Sequence, residues 1–281
     1  MQFASLQEVI ERHVHDGQSV AMEGFTHLIP FAAGHEIIRQ QKRDLHLIRM
    51  TPDIIYDQLI GAGCARTLTF SWGGNPGVGS LHRLRDAVEH DWPHALGIHE
   101  HSHAGMAAAY TAGAARLPFG MLRGYVGTDL PQVNPQIRQV HCPYTGAAIA
   151  TVPALNPDVT ILHAQAADRQ GNVWIEGIIG AQKEAALAAN TLIVTVEEIV
   201  DAFDVSMNAI VLPHWVIGAI AHVPKGAYPS YAHGHYARDN AFYLEWDTIA
   251  RERASFSAWL QRHVLGTRDH AEFMQSLLEV A

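Results

Sequence analysis

The feature that most constrains this chain is a regular alternation of short apolar runs with amphipathic segments, joined by two to six residues. Runs at 19–22, 45–50, 68–71 and 96–100 read as buried strands, while 6–13, 33–41 and 54–62 carry helical spacing between them. Such alternation with short connections predicts an α/β fold, a doubly wound, mostly parallel sheet with helices on both faces. The pattern continues with an Ala-rich helix over 104–115 and an apolar run at 119–126. Pro131, Pro135 and Pro143 then mark an irregular passage, an edge excursion or a small separate sheet. Strands follow at 159–163, 173–175 and 191–196, with a helix over 182–189. Residues 212–236 hold three prolines and several glycines, so they read as an extended Pro/Gly-rich excursion before closing helices at 246–264 and 271–278. No repeat or linker divides the chain, and one domain spanning 1–281 is expected.

In a doubly wound sheet, ligands sit outside the carboxyl ends of the strands. That rule places 24–26, 51–53 and 72–79 on one rim. The run 69–88 reads as a strand end, a turn containing Gly73, Gly74, Gly77 and Gly79, and then a helix. Ser80 is its expected N-cap, with Leu81, Leu84 and Val88 on one face. A helix N-terminus opening from such a turn can present free N–H groups to an anionic or carbonyl oxygen. The same turn could equally bind nothing. Its spacing matches neither Gly-x-Gly-x-x-Gly nor a Gly-Lys-Ser/Thr loop, so a dinucleotide or P-loop site is not supported.

Composition narrows the function. Hydrophobic residues make up 48% and charged residues 17%, which suits a large core and leaves little for disorder. A net charge of −9 offers no basic face for phosphates, so no nucleic-acid partner is expected. No run approaches a bilayer span, so no membrane partner is expected either. The first residues read as an amphipathic helix start rather than a signal peptide, and a cytoplasmic setting is expected. Cys64 and Cys142 then read as reduced core thiols. Low charge beside abundant apolar sequence suggests surface buried against a partner chain.

Residue by residue, the chemistry is sparse. His99, His101 and His103 could converge only while strand alternation lasts, and neither cysteine stands in a paired motif, so no metal site is expected. His233 and His235 read as solvated turn residues. Ser71 precedes the glycines instead of standing between them, so it is a hydrogen-bonding residue and not a triad nucleophile. Glu23 and Glu100 fall at strand ends facing the rim. Glu197 and Glu198 read as a solvated pair, although they too fall on the rim. Asp168 with Gly171 and Asn172 reads as a hairpin turn.

Several stretches together resemble the α subunits of family I CoA-transferases, nearest in pattern to the 3-oxoadipate type. They include Asp16 to Thr26, Gly24-Phe25-Thr26-His27-Leu28-Ile29-Pro30, Arg49 to Asp53 and the run 71–88. Ala167 to Val173, residues 182–188 and Tyr228-Pro-Ser-Tyr-Ala-His-Gly234 complete the likeness. The corresponding subunits of glutaconate CoA-transferases share the pattern less closely. One departure is Glu23-Gly24-Phe25, where the wider family usually has Gly-Gly-Phe.

The resemblance implies half an active site. The family's catalytic glutamate lies in a Ser-Glu-Asn-Gly-like motif of the β subunit, which this sequence lacks, so no catalytic residue is expected here. It implies CoA transfer from succinyl-CoA to 3-oxoadipate in aromatic degradation, with a partner B subunit in (αβ)₂ assembly. No permanently bound cofactor is implied, and the CoA thioester is a substrate. The expected substrate-binding residues are Gly24, Phe25, Thr26, Ser71, Trp72, Gly73, Gly74 and Asn75. Arg49, Arg83, Arg123 and Lys183 are candidate cations for a substrate carboxylate. Three rivals remain: a glutaconate-type CoA-transferase subunit, a CoA-dependent ring-opening hydrolase working through Glu100, and a non-enzymatic ligand-sensing module.

Overall fold

The computed structural model describes residues 3–76 and 78–278. Gly77 of the glycine-rich turn and the first two residues of the N-terminal segment lie outside the described residues.

The first half alternates as the sequence suggests: α1 (Leu6–His13), β1 (Ser19–Glu23), α2 (Phe31–Arg39), β2 (Leu45–Ile48), α3 (Ile54–Gly61), β3 (Ala65–Phe70), α4 (His82–His90) and β4 (Gly97–Glu100). α1 begins at a capping box, in which Ser5 Oγ accepts from the Glu8 amide and the Glu8 carboxylate accepts from the Ser5 amide. The second half runs α5 (His103–Ala114), β5 (Phe119–Leu122), α6 (Leu130–Val133), β6 (Arg138–His141), β7 (Ala148–Pro153), β8 (Val159–Asp168), β9 (Val173–Ile175), α7 (Gln182–Ala188), β10 (Thr191–Val200), β11 (Ile210–Leu212) and β12 (Ala219–His222). It closes with α8 (Asn240–Arg251), α9 (Arg253–Leu260) and α10 (His270–Leu278).

Seven strands form a parallel sheet in the order β4-β3-β2-β1-β8-β10-β12. The chain steps outward from β1 to β4, returns beside β1 at β8, and steps outward the other way. The order therefore reverses between β1 and β8, where Glu23 lies opposite Leu162. β9 and β11 add antiparallel pairs at the far end of β8. Side chains of β1 alternate as a pleat requires. Val20 and Met22 join a core with α1, α2, α3, α4, α8 and α9, while Ala21 faces Met106 and Tyr110 of α5 and Ala185 of α7. Helices thus cover both faces. Each large apolar side chain taken from water in these layers contributes about 1.5–3 kcal/mol.

Several expectations need correction. Residues 212–236 are not a loose excursion, because β12 pairs with β10 as the sheet's last parallel strand and Ala227, Ser230 and Ala232 are fully buried. Pro213 and Pro224 bracket β12 without entering it, so its ladder donors stay intact. The prolines at 131, 135 and 143 do accompany a small sheet, one of the two expected alternatives: antiparallel β5-β7-β6, packed on α5 through Ala109, Tyr125 and Val152. The long closing helix is broken at Glu252 into α8 and α9. Cys64 is buried as expected, whereas Cys142 is only half-buried and is no core thiol.

Candidate active site

The carboxyl ends of β1, β2 and β3 converge on a cavity of about 210 Å³. Phe25, Thr26 and Ile29 supply the wall after β1, and Arg49, Thr51 and Asp53 the wall after β2. Trp72 and Pro76 follow β3, and His103 reaches in from the start of α5. The rim inferred from the switch-point rule is therefore where the cavity lies.

The turn after β1 is tightly determined. A Cβ on Gly24 would stand 2.6 Å from the Leu28 carbonyl oxygen and 2.8 Å from that of His27, so only glycine fits without moving backbone. Thr26 (φ 64°) and Leu28 (φ 51°) both adopt the left-handed region that non-glycine residues avoid. Strain of this kind persists only where surrounding contacts over-determine it.

Beneath the turn lies a buried ionic network. Glu23 Oε1 accepts from the Met50 amide (2.8 Å) and from the Tyr110 hydroxyl (2.9 Å), joining the ends of β1 and β2. Arg49, 1% exposed, donates from Nη2 to the Gly24 carbonyl (2.9 Å) and lies 3.4 Å from Asp53. Asp53 caps α3 by accepting from the Ile55 amide. Burial pushes the Glu23 and Asp53 carboxyls above the usual range, with the Arg49 guanidinium opposing it in both. Arg49 Nε has no partner among the described residues. Of the four candidate cations, Arg49 alone lines the cavity. Arg83 is buried against Asp86 and the Arg251 carbonyl, and Arg123 and Lys183 are exposed elsewhere.

The sheet separates the other expected residues. Ser71 Oγ donates to the Met50 carbonyl (2.6 Å) and lies 3.2 Å from His103 Nδ1. With its one proton committed, Ser71 accepts from His103, which fixes the proton on Nδ1. Asn75 turns inward, donating from Nδ2 to the Tyr243 carbonyl (2.8 Å). The Gly74 and Asn75 amides are bound to the carbonyls of Pro52 and Gly79. A Cβ on Gly73 would face Leu84, Phe70 and Leu81, away from the cavity.

The expected helix N-terminal anion site is corrected too. α4 is N-capped at Leu81 without a side-chain bond, not at Ser80, and Val88 is half exposed. The amides of Arg83 and Leu84 donate to Asp57 Oδ1 at 2.8 and 2.9 Å, so a buried carboxylate of the chain already occupies that terminus. Glu100 is exposed and outside the cavity wall. His99 lies near Thr69 and Gln136, and His101 near Asn134, apart from His103. Among the described residues no group of three or more His, Cys, Asp or Glu could hold a metal ion, and no helix is long and apolar enough to cross a membrane. Glu197 is not solvated: it is buried and receives bonds from His163, Tyr236 and the Lys225 amide. Asp168 does form the expected hairpin, accepting from the Asn172 amide.

Sequence reasoning missed His103 as a wall residue, because strand alternation groups it with His99 and His101, whereas α5 begins at His103. Its place at the first turn of α5, just past a strand end, was the available signal. Ile29 and Pro76 carried no chemical signal and enter through folding alone.

Comparison with known proteins agrees with this fold. The Coenzyme A transferase family model matches residues 3–222. The chain is 63% identical over 275 residues to the A subunit of the 3-oxoadipate CoA-transferase of Pseudomonas knackmussii, covering 98% of both chains. The solved glutaconate coenzyme A-transferase of Acidaminococcus fermentans superimposes with a TM-score of 0.90 at 28% identity, over 99% of this chain and 93% of that one. A variant of the decarboxylase AibA/AibB superimposes with a TM-score of 0.79 at 30% identity, over 93% and 98% of the two chains. With a family match across most of its length and that degree of identity, the chain belongs to the Coenzyme A transferase family.

Proposed function

We propose that this chain is the A subunit of an enzyme moving CoA from succinyl-CoA to 3-oxoadipate, with the attacking glutamate supplied by a B subunit in (αβ)₂ assembly. The observation that carries the reading is a walled cavity with a buried cation and no free nucleophilic acid among its described lining residues. Asp53, the carboxylate in the wall, is held against Arg49 and the Ile55 amide. The 63% identity to one half of a 3-oxoadipate CoA-transferase supports the substrate pair.

The chemistry follows from covalent exchange. The partner's carboxylate attacks the thioester carbonyl and expels CoA thiolate, forming a mixed anhydride. The thiolate then attacks the glutamyl carbonyl, releasing succinate and leaving a glutamyl-CoA thioester. The acceptor carboxylate reverses both steps. Each passes through a tetrahedral oxyanion in a site that must exclude water. The Gly74 and Asn75 amides are committed elsewhere, so the 25–26 backbone is the better oxyanion donor on this chain. Arg49 suits the distal carboxylate that both acyl groups carry. Trp72 and Phe25 supply apolar walls, and Ser71 with His103 a polar edge. No resident cofactor takes part, and the CoA thioester is substrate.

The exposed position of Glu100 gives the hydrolase alternative no support. Purified alone and with its co-expressed partner, the chain is to be assayed with succinyl-CoA and 3-oxoadipate. Transfer is expected only in the complex; exchange by the isolated chain would sink the proposal.

A further inference from the structure

The Tyr228–Gly234 motif belongs to a segment that has no role in the chemistry above. Residues 223–236 leave β12 and run across the strained turn after β1. Four backbone positions of the turn and of α2 meet the segment. The Leu28 amide donates to the Tyr231 carbonyl (2.9 Å), the Ile29 amide to Ser230 Oγ (3.3 Å) and the Ala32 amide to the Gly226 carbonyl (2.9 Å). His27 forms a parallel bridge with Tyr231, and their rings stack at 4.9 Å with planes 19° apart. The segment is held from several sides, by the Val223 amide on the Val196 carbonyl (2.8 Å) and by Gln165 Nε2 on the His233 carbonyl (3.4 Å) among others, and Glu197 grips it near both ends. Glu197 Oε1 accepts from Tyr236 (2.5 Å) and His163 Nε2 (2.7 Å), and Oε2 accepts from the Lys225 amide (2.6 Å). The fit leaves no slack, since a Cβ on Gly226 would meet His163 at 2.8 Å.

We infer that Glu197 is a positioning residue for the transferase: it anchors the 223–236 strap, which holds the 26–29 turn in the shape that walls the acyl cavity. Glu197 does not itself line that cavity. Burial alone would push its carboxyl up, yet the bonds from His163, Tyr236 and the Lys225 amide more than offset this and hold it below the usual range. A carboxylate there serves three donors at once. An amide of the same shape cannot, because its NH₂ group would confront a donor. Releasing the strap lets Thr26 and Leu28 relax from positive φ, and the wall formed by Thr26 and Ile29 then loses its fixed position.

The inference rests on the transferase reading, and its test separates the two. Glu197→Gln is made in the assembled complex beside Tyr231→Ala, and kcat/KM is compared for six-carbon and four-carbon dicarboxylate acceptors. A merely structural lesion lowers the active fraction equally for every acid and leaves the ratio unchanged. A loosened wall lowers discrimination by roughly fivefold. The double variant is expected to lose no more discrimination than the worse single one, because both act through the strap. An unchanged ratio in Glu197→Gln overturns the inference. If the wild-type complex transfers CoA to no acid, the transferase reading has failed instead. Amide hydrogen exchange over 24–32 then decides: faster exchange in Glu197→Gln supports the strap, and unchanged exchange overturns it.

Discussion

Two of the three turns that sequence placed on the rim, residues 24–26 with their continuation to 29 and residues 72–79, differ in what their backbones do. The first is strained at Thr26 and Leu28, is held from outside by the 223–236 segment, and opens onto the cavity. The second, richer in glycine, spends its polar groups on the chain itself. The Gly74 and Asn75 amides bind Pro52 and Gly79, the Asn75 side chain binds Tyr243, and the helix it leads into is closed by Asp57. Only Trp72 and Pro76 of that loop's described residues reach the cavity. A glycine-rich turn before a helix is therefore a ligand site only when its N–H groups remain unclaimed.

The sharpest way to break this contrast is to add a side chain to each turn. Gly24→Val must displace the His27 and Leu28 carbonyls, and kcat/KM should fall by about a hundredfold or more in steady-state assays of the complex. Were Gly24→Val harmless, the first turn would not shape the site.

The next effect lies in stability rather than catalysis. Burial pushes the Asp57 carboxyl from 3.8 up to about 6, although the Leu84 and Arg83 amides and Trp246 oppose it. Because the folded chain favours the protonated form, this contribution is complete below about pH 4 and is lost as pH rises through about 6. Asp57→Asn should remove that slope. The two stability curves, from denaturant titrations, should therefore converge or separate by about 2–3 kcal/mol across the window. Parallel curves would mean that Asp57 does not titrate there.

Smaller still is Gly73→Val, whose new atoms meet Leu84 at 3.3 Å instead of substrate. It should cost about 1–2 kcal/mol in thermal unfolding and change turnover less than fivefold. A loss of turnover matching that of Gly24→Val would return the second turn to the acyl pocket. Glu100→Gln should alter kcat/KM by no more than about twofold, as expected of a surface change. Abolished activity would favour the hydrolase chemistry.

Most of the architecture was legible because β1, β2 and β3 and their helices are local patterns: period-two and period-3.6 burial can be read without knowing what packs against them. β12 was not legible, since four residues between prolines become a strand only when β10 offers its edge. Glu197 was misread for the same reason. Its donors come from β8 and from beyond β12, far away in sequence.

By itself the sequence determined the order of strands and helices through the first half, the rim on which ligands would sit, and the family likeness carried by its motifs. Those depend on short-range periodicity and on connection length. Only the tertiary structure decided which polar groups on that rim were already spent. Whether the N–H groups of α4 face solvent or Asp57, and whether Arg49 or Arg83 enters the cavity, depends on partners brought together by the sheet. A hydrogen bond's availability is a property of the whole packing, and no residue declares it alone.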